Sequence, residues 1–288
     1  MREKVWLITG ASRGLGRALA TAVVASGDRL VAAARRDSDV ADLVTQGKGR
    51  VLAAALDVTD EQAARAAVAA AIGTFGRLDV VVNHAGSSTL GSIEETPSDV
   101  FRAQVETTLF GVVNVTRAAI PVFRRQRSGH FLQFSTVGGR RAAGYGLTAY
   151  GTSKFGVEGF SESLAAEMEP FGVKVTILEP GRFLSDRPRP RTATVEPGED
   201  YRSTVGSTIE QLGTGARPPG DPAKAARVIM QVAALAEPPL RLPLGTDALH
   251  LIRAADEARL AEMDRWWALS ASTDADDPVE RALIGLNG

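Results

Sequence analysis

Tyr150 and Lys154 stand four residues apart in Tyr150-Gly151-Thr152-Ser153-Lys154. On a helix, side chains at that spacing project from one face. A phenol with an ordinary pKa of about 10 is poorly matched to neutral pH, and an ammonium held nearby favours phenolate and brings that value down. The pair therefore suits acid–base chemistry at a single oxygen. A second stretch suits phosphate. Val5-Trp6-Leu7-Ile8 runs into Thr9-Gly10-Ala11-Ser12-Arg13-Gly14-Leu15-Gly16 and on to Arg17-Ala18-Leu19-Ala20, which reads as a buried strand, a glycine turn and a helix. Glycine permits φ > 0 and close approach of the backbone to a ligand. The first amides of the following helix are unpaired, and the positive end of its dipole lies behind them, so a pyrophosphate fits there. The spacing is not the usual G-x-G-x-x-G, and by itself the stretch also fits a mobile glycine loop.

The elements that must position these groups alternate along the chain. Arg29 to Ala34 is a second strand and makes a βαβ unit with the first, hence a parallel pair with a right-handed crossover. A free ribose 2′-hydroxyl usually calls for an acidic residue at the end of this strand, whereas here Arg35-Arg36 follow Ala34. With Arg13, three guanidinium groups could converge on a 2′-phosphate, which favours NADP over NAD. Asp37 and Asp39 are the contrary sign. Arg50 to Leu56 is the third strand, ending at Asp57-Val58, and Glu61 to Phe75 is an Ala-rich helix. Leu78 to Val82 is the fourth strand and ends at Asn83-His84-Ala85-Gly86, at the edge where ligands collect in open α/β sheets. His84 has no sequence partner to orient it and reads as a loop-packing residue rather than an acid or base.

Ser98 to Arg125 suits one long helix or two, with Pro121 marking a bend or boundary. His130 to Phe134 is the fifth strand, followed by Ser135-Thr136-Val137-Gly138-Gly139 and by a helix from Tyr150 to about Glu169. Val173 to Leu178 is the sixth strand, closed by Glu179-Pro180-Gly181. Residues 186–222 turn irregular and Pro-rich, as in a lid or a disordered segment. Lys224 to Ala236 reads as a helix and Arg241 to Leu244 as a short edge strand. Leu249 to Leu269 is amphipathic, with Ile252, Leu260, Met263 and Trp267 on one stripe that packs on its own domain by default.

The 288 residues, 44% hydrophobic and 23% charged, suit a soluble globular protein with a substantial core. A net charge of -1 predicts no general attraction to nucleic acid or membrane. With no cysteine, disulfides and thiolate metal sites are excluded, and no metal site is expected. Met1 to Lys4 lead directly into the first strand, leaving no room for a signal peptide, and no apolar run of about 18 residues could span a bilayer. A cytoplasmic location is expected.

Thr9-Gly10-x-x-x-Gly14-x-Gly16, Asp57-Val58, Asn83-x-Ala85-Gly86, Tyr150-x-x-x-Lys154 and Pro180-Gly181, in this order, resemble the short-chain dehydrogenase/reductase family over about residues 4–250. The resemblance implies a single α/β domain with a Rossmann-type, doubly wound, seven-stranded parallel sheet. Residues 1–250 would form it, with a substrate lid at about 186–222, and 251–288 would be a helical extension packed on the same domain. It also implies NADP and hydride transfer to or from a small carbonyl or alcohol substrate, with Tyr150 as acid/base and Lys154 binding the nicotinamide ribose while lowering the tyrosine pKa. Ser12, Leu15, Ala85, Phe183 and Ser185 join the implied cofactor contacts, Ser185 in place of the family Thr after Pro-Gly. The carbonyl-binding serine falls on Thr136, with Ser135 adjacent. Thr108 replaces the family Asn that helps hold a water in the proton relay, and His84 replaces a second Asn. Relatives pair through the Tyr150 helix, where Gly156 and Gly159 permit close approach, so a homodimer or homotetramer is implied. A non-catalytic NADP-binding regulator is the alternative.

Overall fold

The computed structural model describes residues 3–183, 192–213 and 218–274. Seven strands form one parallel sheet in the order β3-β2-β1-β4-β6-β7-β9. They are β1 (Val5–Thr9), β2 (Arg29–Ala34), β3 (Val51–Ala55), β4 (Val80–Asn83), β6 (Gly129–Phe134), β7 (Val173–Pro180) and β9 (Arg241–Leu244). A separate parallel pair, β5 (Ser88–Leu90) with β8 (Thr192–Thr194), lies outside that sheet and has no counterpart in the sequence reading. All five residues of β1 are buried, as expected of a parallel strand covered on both faces. Trp6 and Ile8 join one core with α1 (Gly14–Ser26) and α8 (Pro222–Ala234). Val5 and Leu7 join the other with α3 (Glu61–Phe75), α5 (Gly111–Gln126) and α6 (Thr148–Met168). The alternation of strand side chains thus divides the molecule into two cores separated by the sheet.

Local signals place the helices. Asp60 caps α3 by accepting from the amides of Gln62 and Ala63 at 2.7 and 3.2 Å, and Gly76 ends it at φ +76°. Asp221 caps α8 in the same way, with Pro222 at its first position. Between α4 (Ser98–Val105) and α5 the chain makes a π turn, Glu106–Phe110. Pro121 lies inside α5 without ending it, so the irregularity expected there falls at the π turn instead. The segment read as irregular holds β8, a π turn (Arg202–Gly206) and α7 (Ser207–Gly213) among its described residues. The short α2 (Ala41–Gly47) precedes β3.

Among the described residues, the last helix, α9 (Thr246–Ala271), docks by its start. Ala248 and Ile252 pack on Val137, and Asp256 pairs with Arg140 at 2.7 Å. Of the apolar stripe only Ile252 is buried; Leu260, Met263 and Trp267 face outward. Among the described residues, no helix is long and apolar enough to cross a membrane.

Candidate active site

The site lies at the carboxyl ends of β1, β4, β6 and β7, where the strand order reverses beside β1. Thr9, at the end of β1, ties two of these ends together. Its Oγ1 donates to the Val82 carbonyl at 3.2 Å and accepts from the amides of His84 and Ala85, both at 3.0 Å. The glycine turn is thereby held against the loop after β4. Gly10 and Gly14 adopt φ +68° and +57°, which L side chains rarely take. Gly16 is needed for a different reason, since a Cβ there would collide with His84 Nδ1 and the Gly10 carbonyl. His84 is thus a packing residue, set edge-on to Phe134 at 4.8 Å, and burial together with the Lys154 charge lowers its pKa to about 4.

Among the described residues, the backbone donors at the start of α1 have no side-chain cap, Arg13 holds the N-cap position, and nothing lies within 4 Å of where a Gly14 Cβ would stand. Uncapped amides at an open, glycine-lined helix start fit a dinucleotide pyrophosphate. Ser12 and Leu15 are half-buried, and Leu15 packs on the core. Arg35 is exposed, and its charge lowers the pKa of Asp57 after the larger effect of hydrogen bonds from Thr59. Arg36, also exposed, is engaged by Asp39 at 2.8 Å. Val58 is buried against Gly111, and its carbonyl accepts from Asn114 at 3.0 Å.

Several expected cofactor residues turn inward. Asn83 is buried, and its amide donates to Gln133 at 2.8 Å and Thr116 at 3.0 Å, bracing β4 on β6 and α5. Phe183 packs its ring on the core and against Gly220, with which its backbone forms a β-bridge. Pro180 offers its carbonyl to Thr136, and Gly181 is held by Leu244 and crowded by Asp247. Ala85 packs partly on the core, and Gly86 lies in front of Thr108. Ser185 lies outside the described residues.

On α6, Tyr150 and Lys154 share a face as their spacing requires. The Tyr150 hydroxyl meets that of Thr136, whose Oγ1 donates to the Pro180 carbonyl at 3.2 Å. Lys154 is buried and donates to the Phe134 carbonyl at 2.6 Å. Burial lowers the Lys154 pKa to about 8, with Glu158 acting the other way. Burial raises the Tyr150 pKa, and the Thr136 contact acts against it. Ser135 is buried behind the site. It holds the Glu158 pKa down, and its Oγ has no hydrogen-bond partner among the described residues. Thr108 is fully buried on the π turn, its hydroxyl accepting from Gln104 at 2.8 Å. Gln104 also donates to the Ser87 carbonyl at 2.9 Å and reaches Ser153 at 3.4 Å, bridging α4, α6 and the loop before β5. The sequence reading missed Gln104, although its place one turn before Thr108 was a usable signal.

Comparison with known proteins gives the family. The family model described as short chain dehydrogenase matches residues 4–196. The chain is 42% identical over 272 residues to the oxidoreductase BOA17 of Botryotinia fuckeliana, covering 94% of this chain and 99% of that one. It is 33% identical to a 3-ketodihydrosphingosine reductase of Bacteroides thetaiotaomicron, over 85% of this chain and 89% of that one. A short-chain dehydrogenase from Streptomyces avermitilis superposes with a TM-score of 0.89 at 38% identity, covering 95% of this chain and all of that one. The chain belongs to the short-chain dehydrogenase family and is an oxidoreductase whose fold holds a nicotinamide cofactor and acts on small molecules. More distant structures sharing the fold were solved with NAD in one case and NADP in another.

Proposed function

We propose that this protein is an NADPH-dependent reductase of small or medium-sized apolar aldehydes or ketones, running as an alcohol dehydrogenase in reverse. The observation that carries the reading is the convergence of the Tyr150 and Thr136 hydroxyls beside buried Lys154, whose charge acts on the histidine packed against Gly10 and Gly16. The bound nicotinamide would supply the hydride. The uncapped start of α1 and Arg13 would hold the pyrophosphate side. Arg35 and Arg36 would read a 2′-phosphate, Asp57 and Val58 would border the adenine side, and Lys154 with the Pro180–Gly181 backbone would hold the nicotinamide side. In reduction, the alkoxide oxygen must receive a proton. Tyr150, raised above its ordinary pKa, stands protonated at neutral pH and is the donor. Thr136, turning its hydroxyl proton from the Pro180 carbonyl, would donate a hydrogen bond to the same oxygen, and Ser135, turned away toward Glu158, supports the loop from behind. Lys154 as ammonium stabilises the phenolate left on Tyr150.

Apolar walls support the substrate class. Leu90 on β5 and Val205 on the π turn before α7 meet at Gly146, four residues before Tyr150, and both are buried. Pairing of copies through α6 is part of the reading and is supported by exposed Phe110 and Phe155, with Gly159 unobstructed; Gly156 instead packs on Leu109 of its own chain. A non-catalytic NADP-binding regulator is favoured by Thr108, whose hydroxyl is committed to Gln104.

Tyr150→Phe separates the two readings. This variant is expected to bind NADPH as the wild type does, by quenching of Trp fluorescence, and to lose roughly a thousandfold in NADPH oxidation with 4-nitrobenzaldehyde. Full activity in the variant refutes the role of Tyr150. Tight NADPH binding by the wild type, with no turnover across a broad panel of aldehydes, ketones and alcohols, establishes the regulator.

A further inference from the structure

Behind Lys154 lies a buried acidic pair that the proton transfer above does not use. Glu158 follows Lys154 by one turn of α6, and Glu179 stands next to the end of β7; they are 5% and 0% exposed. Arg241 Nε lies 3.3 Å from Glu158 and 3.7 Å from Glu179, while Arg140 reaches Glu179 at 3.0 Å and Asp256 at 2.7 Å. Glu158 Oε1 and Glu179 Oε2 have no hydrogen-bond partner among the described residues. Gly139 sits where the Lys154 backbone, Glu158 Cγ and the unpartnered Ser135 Oγ converge, and a Cβ there would collide with that hydroxyl. A buried carboxylate with an unmatched oxygen is costly unless a charge compensates it.

We propose that Glu158 is a positioning residue for the Tyr150–Lys154 pair, its carboxylate, anchored by Arg241 one helical turn beyond Lys154, keeping that lysine an ammonium. The inference rests on reading Lys154 as the group that serves Tyr150. Side chains four apart on a helix are neighbours, and their coupling grows as water is removed. Burial pulls Lys154 down, Glu158 is the group that opposes it, and the balance of the two leaves Lys154 at about 8. Burial also raises Glu158, and Arg241, Arg140 and Ser135 hold it back toward the ionised form. The charged and titratable groups around the pair are Tyr150 and Glu162 from α6, Arg140 after β6, Glu179 from β7, Arg241 from β9 and His84 after β4. Asp256 of α9 stands behind Arg140. Without the Glu158 charge, Lys154 sheds its proton closer to neutral pH, and the phenolate of Tyr150 loses its support.

The test reads Lys154 directly. The lysines are Lys4, Lys48, Lys154, Lys174 and Lys224, so their 13Cε resonances can be followed by NMR in the full-length chain from pH 6 to 11, with Lys154 assigned by its loss in Lys154→Met. Glu158→Gln is expected to lower the Lys154 midpoint by about one pH unit. Glu158→Asp, which keeps the charge but withdraws it by one methylene, should lower it less. Glu162→Gln is the control. Glu162 also binds Arg241, at 2.9 Å, but is exposed, and its removal should leave the midpoint in place. If Glu158→Gln does not fold, Glu158→Asp decides. An unmoved midpoint in the folded Glu158 variants, or an equal fall in Glu162→Gln, overturns the proposal. The titration needs neither cofactor nor substrate, so failure of every carbonyl to turn over sinks the reductase reading and leaves this result standing. With NADPH and 4-nitrobenzaldehyde, the alkaline limb of kcat in Glu158→Gln is expected to move down by the same unit, about tenfold less activity above that limb. An unchanged limb removes Glu158 from the reaction.

Discussion

Arg36 lies 2.8 Å from Asp39, three residues on, and Arg35 stands exposed beside Asp57. An exposed ion pair contributes little, because water already solvates both partners and holding them costs side-chain entropy. A phosphate with several charge-assisted bonds is the stronger competitor for Arg36. Arg36→Ala is therefore expected to weaken NADPH about tenfold while leaving NADH nearly unchanged. Arg35→Ala should do the same to a smaller degree, since adjacent side chains on an extended segment point opposite ways. Fluorescence titration with both cofactors checks this, and equal losses for NADPH and NADH would show that neither arginine reads the phosphate. The residue types were legible in the sequence, but their commitments were not. Asn83, adjacent in sequence to the turn residues, bonds Gln133, fifty residues away along the chain, and only the pairing of β4 with β6 brings them together. Ser135 and Thr136 both carry hydroxyls, and the path of the chain leaving β6 decides which one meets Tyr150.

At the scale of elements, the three glycines of the first turn do separate jobs that their spacing alone does not distinguish. Gly16 has no room for a methyl group, since His84 and the Gly10 carbonyl occupy it. Gly14 has room but sits at φ +57°. Gly16→Ala is expected to cost roughly 1–3 kcal/mol through overpacking, and Gly14→Ala about 1 kcal/mol through backbone strain, with loss of cofactor binding in the second. Urea unfolding ranks the two, and a Gly16→Ala protein as stable as wild type would contradict the packing described here. The strand–turn–helix order and the β9 edge strand were readable because each depends on neighbours in sequence. The π turn was not. The extra residue before α5 lets Thr108 meet Gln104 and the Ser87 carbonyl, partners set by how α4 packs on α6 and β5 rather than by helix propensity.

For the whole molecule, two histidines make stability depend on pH. Burial lowers His84 to about 4, with Lys154 adding to it, and lowers His130 to about 3, with Lys4 and Lys174 adding. Both values lie below the unfolded value near 6.5, so as pH falls below 6.5 the unfolded chain binds protons that the folded chain refuses. Stability is full above that point and is lost as pH falls toward 4 and then 3, by on the order of a few kcal/mol from the two together. His130→Gln, which can keep a bond to Thr176, should flatten this loss in urea unfolding at pH 7, 5 and 4. A slope as steep as wild type would mean that His130 titrates normally in the fold. The chain's composition, its alternation of strands and helices and its ordered motifs determined by themselves the class of fold and the Tyr150–Lys154 pair, because these are written in local periodicity and fixed spacings. The separate β5–β8 pair, the outward stripe of α9, the inward turn of Asn83 and Phe183, and the carboxylates behind Lys154 were decided only by tertiary structure. Each depends on which distant surfaces share one dry interior, and burial, not residue type, sets what a polar group there must bond and whether it keeps its charge.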